Sequence, residues 1–299
     1  MTLTGSAANP ALVSRLTSAS VEIASRSAQI EEVRENFDPG LDVTVTFLPG
    51  DDYRDNVGIA TALRRAGFNP VPHVAAREFA SREALDDYLA RARSEAGVLR
   101  VLLIAGDVAR ARGPFKSSLD ICASGLIEAH GFETVSFAGH PEGHPQLDMD
   151  GAFKALEAKR DWGRAAGVRV DVVLQFCFES APILNWIEEA DRIGLRMPLV
   201  VGLAGPATPT TLLKFALRCG VGNSLRSLRG QIGRYGRLLT DVGPDAVVGG
   251  LCAASSEATA AIAGFHIFPF GGLRKTRRWL DTFERGEPSS RAARAAPLA

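Results

Sequence analysis

The sequence predicts an α/β protein that forms a (β/α)8 barrel of the TIM type, with extra helices before the last strand. Short runs of β-branched and aromatic residues alternate with longer helical segments, as expected for parallel strands joined by right-handed crossovers. Eight such units follow one another without a hairpin signal, which favours a closed barrel over an open sheet. No GxGxxG motif follows the first strand, so a dinucleotide-binding open sheet is disfavoured.

The predicted strands are short and apolar. The most apolar is the run LRVLLIA, whose composition is typical of a parallel strand covered on both faces. Three others contain candidate polar or titratable residues within them: Glu22, His73 and Gln175. In chain order, the strands are predicted over residues 19–24, 43–47, 71–75, 99–105, 134–138, 171–178, 199–203 and 265–268.

The helices are predicted from charge, spacing and capping residues. Ser81 is a good N-cap, and Glu83 lies in the first turn of the helix that follows it. Either Thr208 or Thr210 caps a helix that runs through Cys219. The other helices are predicted over residues 10–17, 29–37, 56–66, 82–96, 149–166, 181–193, 223–239 and 245–263, with one ending at residue 130 and a final one ending at residue 283.

The composition bounds the class of protein. A hydrophobic content of 46% and a charged content of 23% are those of an ordinary globular protein. The formal net charge is zero, so the charge balance does not suggest binding to nucleic acid or to an acidic membrane. No signal peptide or membrane span is recognisable, and we expect a cytoplasmic protein with small-molecule substrates. Whether it forms a homo-oligomer is left open by the sequence.

The domain organisation is predicted to be simple. Residues 1–286 are expected to form a single catalytic barrel, and residues 287–299, rich in Pro, Ser, Ala and Arg, a disordered tail. The four cysteines are far apart, with no CxxC pair and no histidine at ligand spacing. Neither a structural metal nor a disulfide framework is therefore expected.

The sequence HPEGHP, at residues 140–145, is the most informative loop. It follows a predicted buried strand, and its glycines and prolines require a sharp turn. Titratable groups on a rigid loop after a strand are how α/β proteins present a site, so His140, Glu142 and His144 are candidate functional residues. A solvated surface turn is the simpler interpretation of this loop taken alone.

Several other predicted strands also end in polar residues. In a (β/α)8 barrel the carboxyl ends of the strands form the face that contains the active site. Each of these polar residues also has a simpler structural explanation. It could be an outward-facing charge, a turn former, a buried core amide or histidine, or part of a solvated helix face. The candidates are Glu22, His73, Asp107, His140, His144, Gln175 and His266 at strand ends, with Lys159 and Arg160 on the following helix.

Together these residue types indicate acid–base or cofactor chemistry. A carboxyl group among apolar residues is driven towards its neutral form, which prepares a general acid, whereas a second acid near polar groups stays ionised. A Lys–Arg pair can receive a phosphate or diphosphate. No Ser or Cys lies in a nucleophile-elbow motif, and no carboxylate–histidine cluster has metal-ligand spacing. The residue types alone do not specify a substrate or a particular cofactor.

At these residues the chain resembles the methylenetetrahydrofolate reductase family, the flavin-dependent (β/α)8 barrels of one-carbon metabolism. The resemblance spans nearly the whole chain, from residue 20 to residue 283. The HPEGHP loop and the QFCF strand are fairly specific, whereas the other matches are weaker. In family order, the matching sequences are VEI at residues 21–23, AGD at residues 105–107, HPEGHP at residues 140–145, LQFCF at residues 174–178 and FHIF at residues 265–268.

The resemblance implies reduction of 5,10-methylenetetrahydrofolate to 5-methyltetrahydrofolate through FAD, with NADH or NADPH as the hydride donor. It implies that Glu22 is the general acid and that Asp107 lies between the flavin and the folate pterin. Gln175 would bind the pterin, and Phe215 would stack on nicotinamide or folate in turn. The residues implied to line FAD are His73, Gly106, Asp107, His140 and His144, with Lys159 and Arg160 approaching its diphosphate.

The chain also departs from the family pattern. Ala105 replaces the arginine that usually precedes Gly-Asp, and LPGDD replaces a Gly-rich loop after the second strand. After the last strand, PFGG at residues 269–272 lies where the family has an arginine that meets the folate tail, and Arg274 is a candidate substitute. Two alternatives remain open: a divergent folate barrel that serves a demethylation pathway, and a non-catalytic partner subunit that binds flavin poorly.

Overall fold

A computed structural model describes residues 9–24, 28–144, 146–221 and 241–284. Its eight strands form a closed barrel in sequence order, which confirms the predicted fold class. The helical region predicted at 223–239 and the tail predicted at 287–299 lie outside the described residues. The strands are β1 (Ser20–Ile23), β2 (Asp42–Val45), β3 (Asn69–Ala75), β4 (Arg100–Ile104), β5 (Thr134–Gly139), β6 (Arg169–Leu174), β7 (Leu199–Ala204) and β8 (Ile262–Phe268).

Helices alternate with these strands, and side chains cap several of them. Asp52, Ser81, Asp148 and Thr208 each accept a hydrogen bond from a backbone N–H in the first turn that they precede. In the described ranges the helices are α1 (Pro10–Thr17), α2 (Ala28–Asn36), α3 (Tyr53–Arg65), a 3-10 turn (Ala76–Glu78), α4 (Arg82–Ser94), α5 (Ser118–Ala123), α6 (Leu126–Ala129), α7 (Met149–Ala166), α8 (Ala181–Arg192), α9 (Pro209–Arg218), α10 (Asp245–Ala253) and α11 (Leu273–Glu284).

Several predicted elements differ from the structure in their bounds: the helix predicted over 56–66 begins at Tyr53, and the strand predicted over 265–268 begins at Ile262. Three others differ more strongly. Strand β6 ends at Leu174, so Gln175 lies just beyond the strand and not within it. The helix expected to end at residue 130 is two short helices, α5 and α6, because Gly125 adopts φ +72° between them. The helix predicted over 245–263 ends at Ala253. Ala254 is extended, and the Ser255 hydroxyl accepts from the Ala258 N–H, so a turn replaces the helix.

The chain divides into two compact units. The first consists of Ser20–Gly139 and Leu147–Val173, and it contains β1 to β5 with most of β6. The second consists of Met1–Ala19, His140–Gln146 and Leu174–Ala299, and it contains β7 and β8. Within the first unit, β1 to β5 pair in parallel with their sequence neighbours. Within the second, β7 pairs in parallel with β8, and α1 packs against β8 and α11.

An arginine ties together the amino-terminal ends of several strands in the first unit. The Arg100 guanidinium, on β4, lies 3.2 Å from Asp42 on β2 and 2.8 Å from Asp171 on β6, and it also bonds the Ser136 hydroxyl on β5. Alternate strands supply each layer of side chains inside a (β/α)8 barrel, and β2, β4 and β6 are alternate strands. The two carboxylates are therefore neutralised together by one cation.

Replacing this arginine should destabilise the fold. Arg100→Met leaves two partly buried carboxylates without their shared cation, and we expect the free energy of unfolding to fall by about 2–3 kcal/mol. Urea unfolding at neutral pH measures the change. Arg34→Met is the matched control, because its ion pair with Glu31 is exposed and should contribute less than about 0.5 kcal/mol. Equal losses in the two variants would contradict a structural role for the Arg100 cluster.

Candidate functional site

Glu22 and His73 meet in the first unit. Glu22 lies on β1 between the buried residues Val21 and Ile23, and His73 lies on β3. Glu22 Oε2 is 3.5 Å from His73 Nε2, and the two side chains are only 18% and 12% exposed. Because β1 and β3 are alternate strands, their side chains reach each other inside the ring of strands. The structure thus brings together two of the predicted site residues, a carboxyl group and an imidazole.

A buried hydrogen-bond chain supports the backbone at His73. The Tyr88 hydroxyl donates to the His73 carbonyl oxygen at 3.0 Å and lies 2.7 Å from Asn56 Oδ1. The Asn56 amide in turn donates to the Thr46 carbonyl oxygen at 3.0 Å. Burial raises the pKa of Tyr88, so the phenol remains a hydrogen-bond donor at any ordinary pH.

Sequence reasoning missed this chain of hydrogen bonds. The available signal was a polar Asn56 and a Tyr88 hydroxyl on helix faces that are otherwise apolar. Buried polar groups are normally satisfied by a partner, so such residues point to a tertiary hydrogen bond. The identity of that partner depends on how α3 and α4 pack against β2 and β3.

Gly106 and Asp107 follow β4 in the same unit. Gly106 adopts φ +92°, and a Cβ there would lie 3.3 Å from the Ala75 Cβ, so both the turn and the packing favour glycine. Asp107 is exposed. The loop that begins with these residues contacts the 3-10 turn after β3, since the Arg77 N–H donates to the Ala105 carbonyl oxygen at 2.9 Å. Asp107 therefore projects to solvent from an anchored backbone.

The histidines of the HPEGHP loop form a pair in the second unit. The His140 and His144 rings meet edge to face, with centroids 4.7 Å apart. The Gln146 N–H donates to His144 Nδ1 at 3.1 Å, so this nitrogen is an acceptor and a neutral His144 carries its proton on Nε2. Gly143, with φ +103°, makes the turn between the two histidines. Pro145 lies outside the described residues.

Glu142, between these histidines, is tied to the strand end that contains Gln175. The Cys177 thiol donates a hydrogen bond to the Glu142 carboxylate, and burial together with this negative charge raises the pKa of Cys177. Cys177 is therefore a hydrogen-bond donor and not a thiolate nucleophile. Gln175 is half-buried, and its side-chain oxygen accepts from the Phe176 N–H at 3.1 Å. The HPEGHP loop and the residues after β6 thus belong to one hydrogen-bonded group.

An aromatic stack occupies the strand ends of the second unit. Phe215 on α9 is stacked against Phe270, with ring centroids 4.1 Å apart and planes inclined by 16°. Phe268 at the end of β8 is nearly parallel to Phe270 at 5.8 Å, and the buried Phe176 meets both at their edges. A Cβ on Gly271 would come within 2.0 Å of the Pro206 carbonyl oxygen, so this glycine fixes the backbone next to Phe270.

Phe215 was predicted to stack on a ligand, and one of its faces here lies against Phe270. The sequence pattern located the unusual PFGG turn but did not identify Phe270 as the partner of Phe215. No local signal could have done so, because the two rings are separated by more than fifty residues of sequence. A stack of half-buried parallel rings is nevertheless a surface suited to a planar ligand.

The residues expected to approach a diphosphate have protein partners. The Lys159 ammonium lies 5.0 Å from the centroid of the Phe137 ring, and burial lowers the pKa of Lys159 to about 8. Burial likewise raises the pKa of the neighbouring Cys122 thiol to about 12. Arg160 bonds Asp161 at 2.9 Å. At neutral pH both basic side chains are charged, and Lys159 is surrounded by apolar groups.

Two further candidates lie in the second unit. Arg274 is exposed in the first turn of α11, where its guanidinium reaches solvent. His266 is buried in β8, with its ring edge to face against Phe268 at 4.8 Å.

Within the described ranges, no three His, Cys, Asp or Glu side chains are placed to hold a metal ion. None of the helices in those ranges is both long and apolar enough to cross a membrane.

The closed ring of eight parallel strands defines a (β/α)8 barrel, with polar groups at several of its strand ends. No protein-family model matches the chain. A dihydropteroate synthase from Thermus thermophilus is 15% identical, with 91% of this chain and 94% of that chain covered and a TM-score of 0.46. The same enzyme in complex with 6HMPPP is 13% identical over the same shares, with a TM-score of 0.48.

A third solved structure is a sugar phosphate isomerase/epimerase from Parabacteroides distasonis. It is 9% identical, with 88% of this chain and 93% of that chain covered and a TM-score of 0.37. At such low similarity these structures carry no information about the substrate or the reaction of this protein.

The lowered pKa of Lys159 predicts a pH-dependent stability difference. An unfolded lysine titrates near 10.4, so the cost of burying the ammonium is fully present below pH 8 and is lost as the pH rises to about 10.4. Lys159→Met should therefore be more stable than wild type by about 3 kcal/mol at pH 7, and the difference should shrink towards pH 10. Urea unfolding at several pH values measures it.

Lys154→Met on the same helix is the matched control. Lys154 is exposed and pairs with Asp150, so its removal should change the free energy of unfolding by less than about 0.5 kcal/mol. A Lys159→Met variant that gains no stability at pH 7 would show that the ammonium is solvated and that its pKa is not lowered.

Proposed function

We propose that this protein catalyses the flavin-dependent reduction of 5,10-methylenetetrahydrofolate to 5-methyltetrahydrofolate, with NADH or NADPH as the hydride donor. The observation that carries the proposal is the contact between Glu22 Oε2 and His73 Nε2 at 3.5 Å, with both side chains largely shielded from water. A shielded acid next to an imidazole is an arrangement suited to proton transfer. The motif resemblance then supplies the substrate and the cofactor.

The predicted site residues have side chains whose chemistry suits FAD. A flavin ring needs hydrogen-bonding groups and a backbone that it can approach closely. His73, His140 and His144 are half-buried imidazoles, and Gly106, whose missing Cβ would face Ala75, adds no side chain to its strand end. For a diphosphate the chain offers Lys159 and Arg160, of which Arg160 would exchange its bond to Asp161 for one to phosphate. Each unit thus offers groups whose chemistry suits a flavin, and FAD when bound would supply the hydride chemistry.

The proposed roles of the chain's own residues follow from their chemistry. Glu22 donates a proton from Oε2 as the folate ring opens, and His73 Nε2 holds the carboxyl group in place. Asp107 and Gln175 provide hydrogen-bonding groups for the pterin, and neither is buried beyond reach of a ligand. Arg274, exposed in the first turn of α11, provides a cation for the carboxylates of the folate tail.

The aromatic stack accounts for the binding of planar rings. Phe215 offers a face to nicotinamide or pterin, and Phe270 supports it from the other face. Stacked aromatic pairs contribute roughly 0.5–1.5 kcal/mol beyond their area burial, so Phe270 adds rigidity to the platform. Since the stack tolerates any planar ring, nicotinamide and folate can take turns on it, as a ping-pong cycle requires.

A second candidate is a barrel that keeps the fold but binds flavin poorly and acts as a partner subunit. The observation that favours it is that Phe215, Lys159 and Arg160 already have protein partners. A divergent folate barrel in a demethylation pathway is a variant of the leading proposal, with a different source of one-carbon units. Flavin binding distinguishes the partner subunit from both enzymes.

Purified protein should bind FAD and turn yellow, because the strand-end imidazoles and Gly106 are suited to a flavin ring. NADH or NADPH should bleach the flavin in the absence of oxygen, and 5,10-methylenetetrahydrofolate should restore the colour. Absorbance near the flavin maximum records both half-reactions. A protein that takes up no FAD supports the partner subunit, and one that is bleached but not recoloured by this folate contradicts the proposed substrate.

Glu22→Gln should separate the two half-reactions. The amide keeps the shape of the side chain but has no proton to give, so flavin reduction by the nicotinamide should stay within about threefold of wild type while folate reduction falls by roughly 10²–10⁴-fold. Stopped-flow absorbance measures each step. Glu133→Gln, an exposed site paired with Arg169, is the control and should change neither. Equal losses in both half-reactions would contradict the proposed role of Glu22 as the general acid.

A further inference from the structure

We propose that Arg77 is a positioning residue that holds the loop of Asp107 in place. This inference rests on the proposed function for the role of Asp107, and it rests on geometry for the role of Arg77. The loop runs from Gly106 to Ser117, between β4 and α5, and is called the Asp107 loop below. Arg77 lies in the 3-10 turn Ala76–Glu78 directly after β3.

Arg77 bonds both ends of the Asp107 loop. Its Nε donates to the Lys116 carbonyl oxygen at 2.9 Å, and its Nη1 donates to the Val108 carbonyl oxygen at 3.4 Å. Its backbone N–H donates to the Ala105 carbonyl oxygen, and its own carbonyl oxygen accepts from the Arg112 N–H, both at 2.9 Å. One residue therefore fixes the start, the middle and the end of the loop.

Glu78 adds an ion pair to the same junction. Its side chain is 2% exposed, and Oε2 lies 3.2 Å from Arg112 Nε on the Asp107 loop. A buried carboxylate is costly unless it is paired, so the loop cannot move away without leaving this charge uncompensated. The pair thus holds the middle of the loop against the 3-10 turn.

The Asp107 loop also packs closely against the backbone that follows the 3-10 turn. A Cβ on Gly113 would lie 2.4 Å from the Ala80 carbonyl oxygen and 2.5 Å from that of Phe79, so only glycine fits there. At the other end, the Asp120 carboxylate accepts from the Lys116 and Ser117 N–H groups at 2.6 and 2.9 Å. The loop is therefore held at its start, its middle and its end.

The consequence concerns Asp107 itself. Its side chain is exposed, and an exposed carboxylate on a free loop would sample many positions. Binding and catalytic groups need to be held in place by supporting residues, because misplacement by about 1 Å lowers the rate strongly. Arg77 does not touch a substrate in this scheme. It acts through the position of Asp107.

The first test measures the loop directly and is independent of any reaction. In Arg77→Met, amide hydrogen exchange across residues 106–117 should rise by about tenfold, because the loop loses two carbonyl anchors. Arg64→Met is the matched control. Arg64 bonds the Ala96 and Gly97 carbonyl oxygens at 3.2 and 3.1 Å before β4, at the amino-terminal ends of the strands. The control should leave exchange in the Asp107 loop unchanged.

The second test couples Arg77 to Asp107. Arg77→Met should lower folate turnover by about tenfold, Arg77→Lys should restore part of it, and Arg64→Met should leave it unchanged. In an Asp107→Ala background, Arg77→Met should cause no further loss, because the group that it positions is gone. Full additivity of the two losses would overturn the inference, as would unchanged exchange in the Asp107 loop.

Failure of the proposed function has a different signature. Wild-type protein would then show no folate turnover, whereas hydrogen exchange would still decide whether Arg77 anchors the loop.

Discussion

The alternation of side chains between the two faces of each strand decides where the polar groups of the first unit lie. Alternate strands of a closed parallel barrel contribute to the same inner layer. β2, β4 and β6 therefore supply the layer in which Arg100 neutralises Asp42 and Asp171. β1 and β3 supply the contact between Glu22 and His73. A one-residue slip of any of these strands would turn its polar group outward and break the arrangement to which that strand contributes.

Specific contacts also fix the connections after the strands. Arg77 and Gly113 fix the Asp107 loop to the turn after β3 by backbone contacts. In the second unit, Gly143 makes the turn of the HPEGHP loop, and the Gln146 N–H donates to His144. Rigid loops suit a site whose proposed chemistry consists of placing two planar rings and one proton, because little of the binding energy is then needed to order the protein.

The aromatic stack of the second unit is built on the turn over residues 269–272. This turn brings Phe270 against Phe215, and Gly271 allows the backbone to approach Pro206. The recognition surface there is apolar, with Arg274 left on the exposed first turn of α11. In the proposed function, binding at this end of the second unit therefore depends more on ring stacking than on charge.

The sequence by itself determined the strand–helix alternation, the positions of nearly all described elements and the polar residues at strand ends, because these depend on local composition and on turn residues such as Gly106 and Gly143. The tertiary structure alone decided which residues meet. The Glu22–His73 contact, the Tyr88 hydrogen bonds, the Phe215–Phe270 stack and the apolar surroundings of Lys159 all join residues far apart in the chain. Such contacts depend on strand register and helix packing, which leave no trace in any short stretch of sequence.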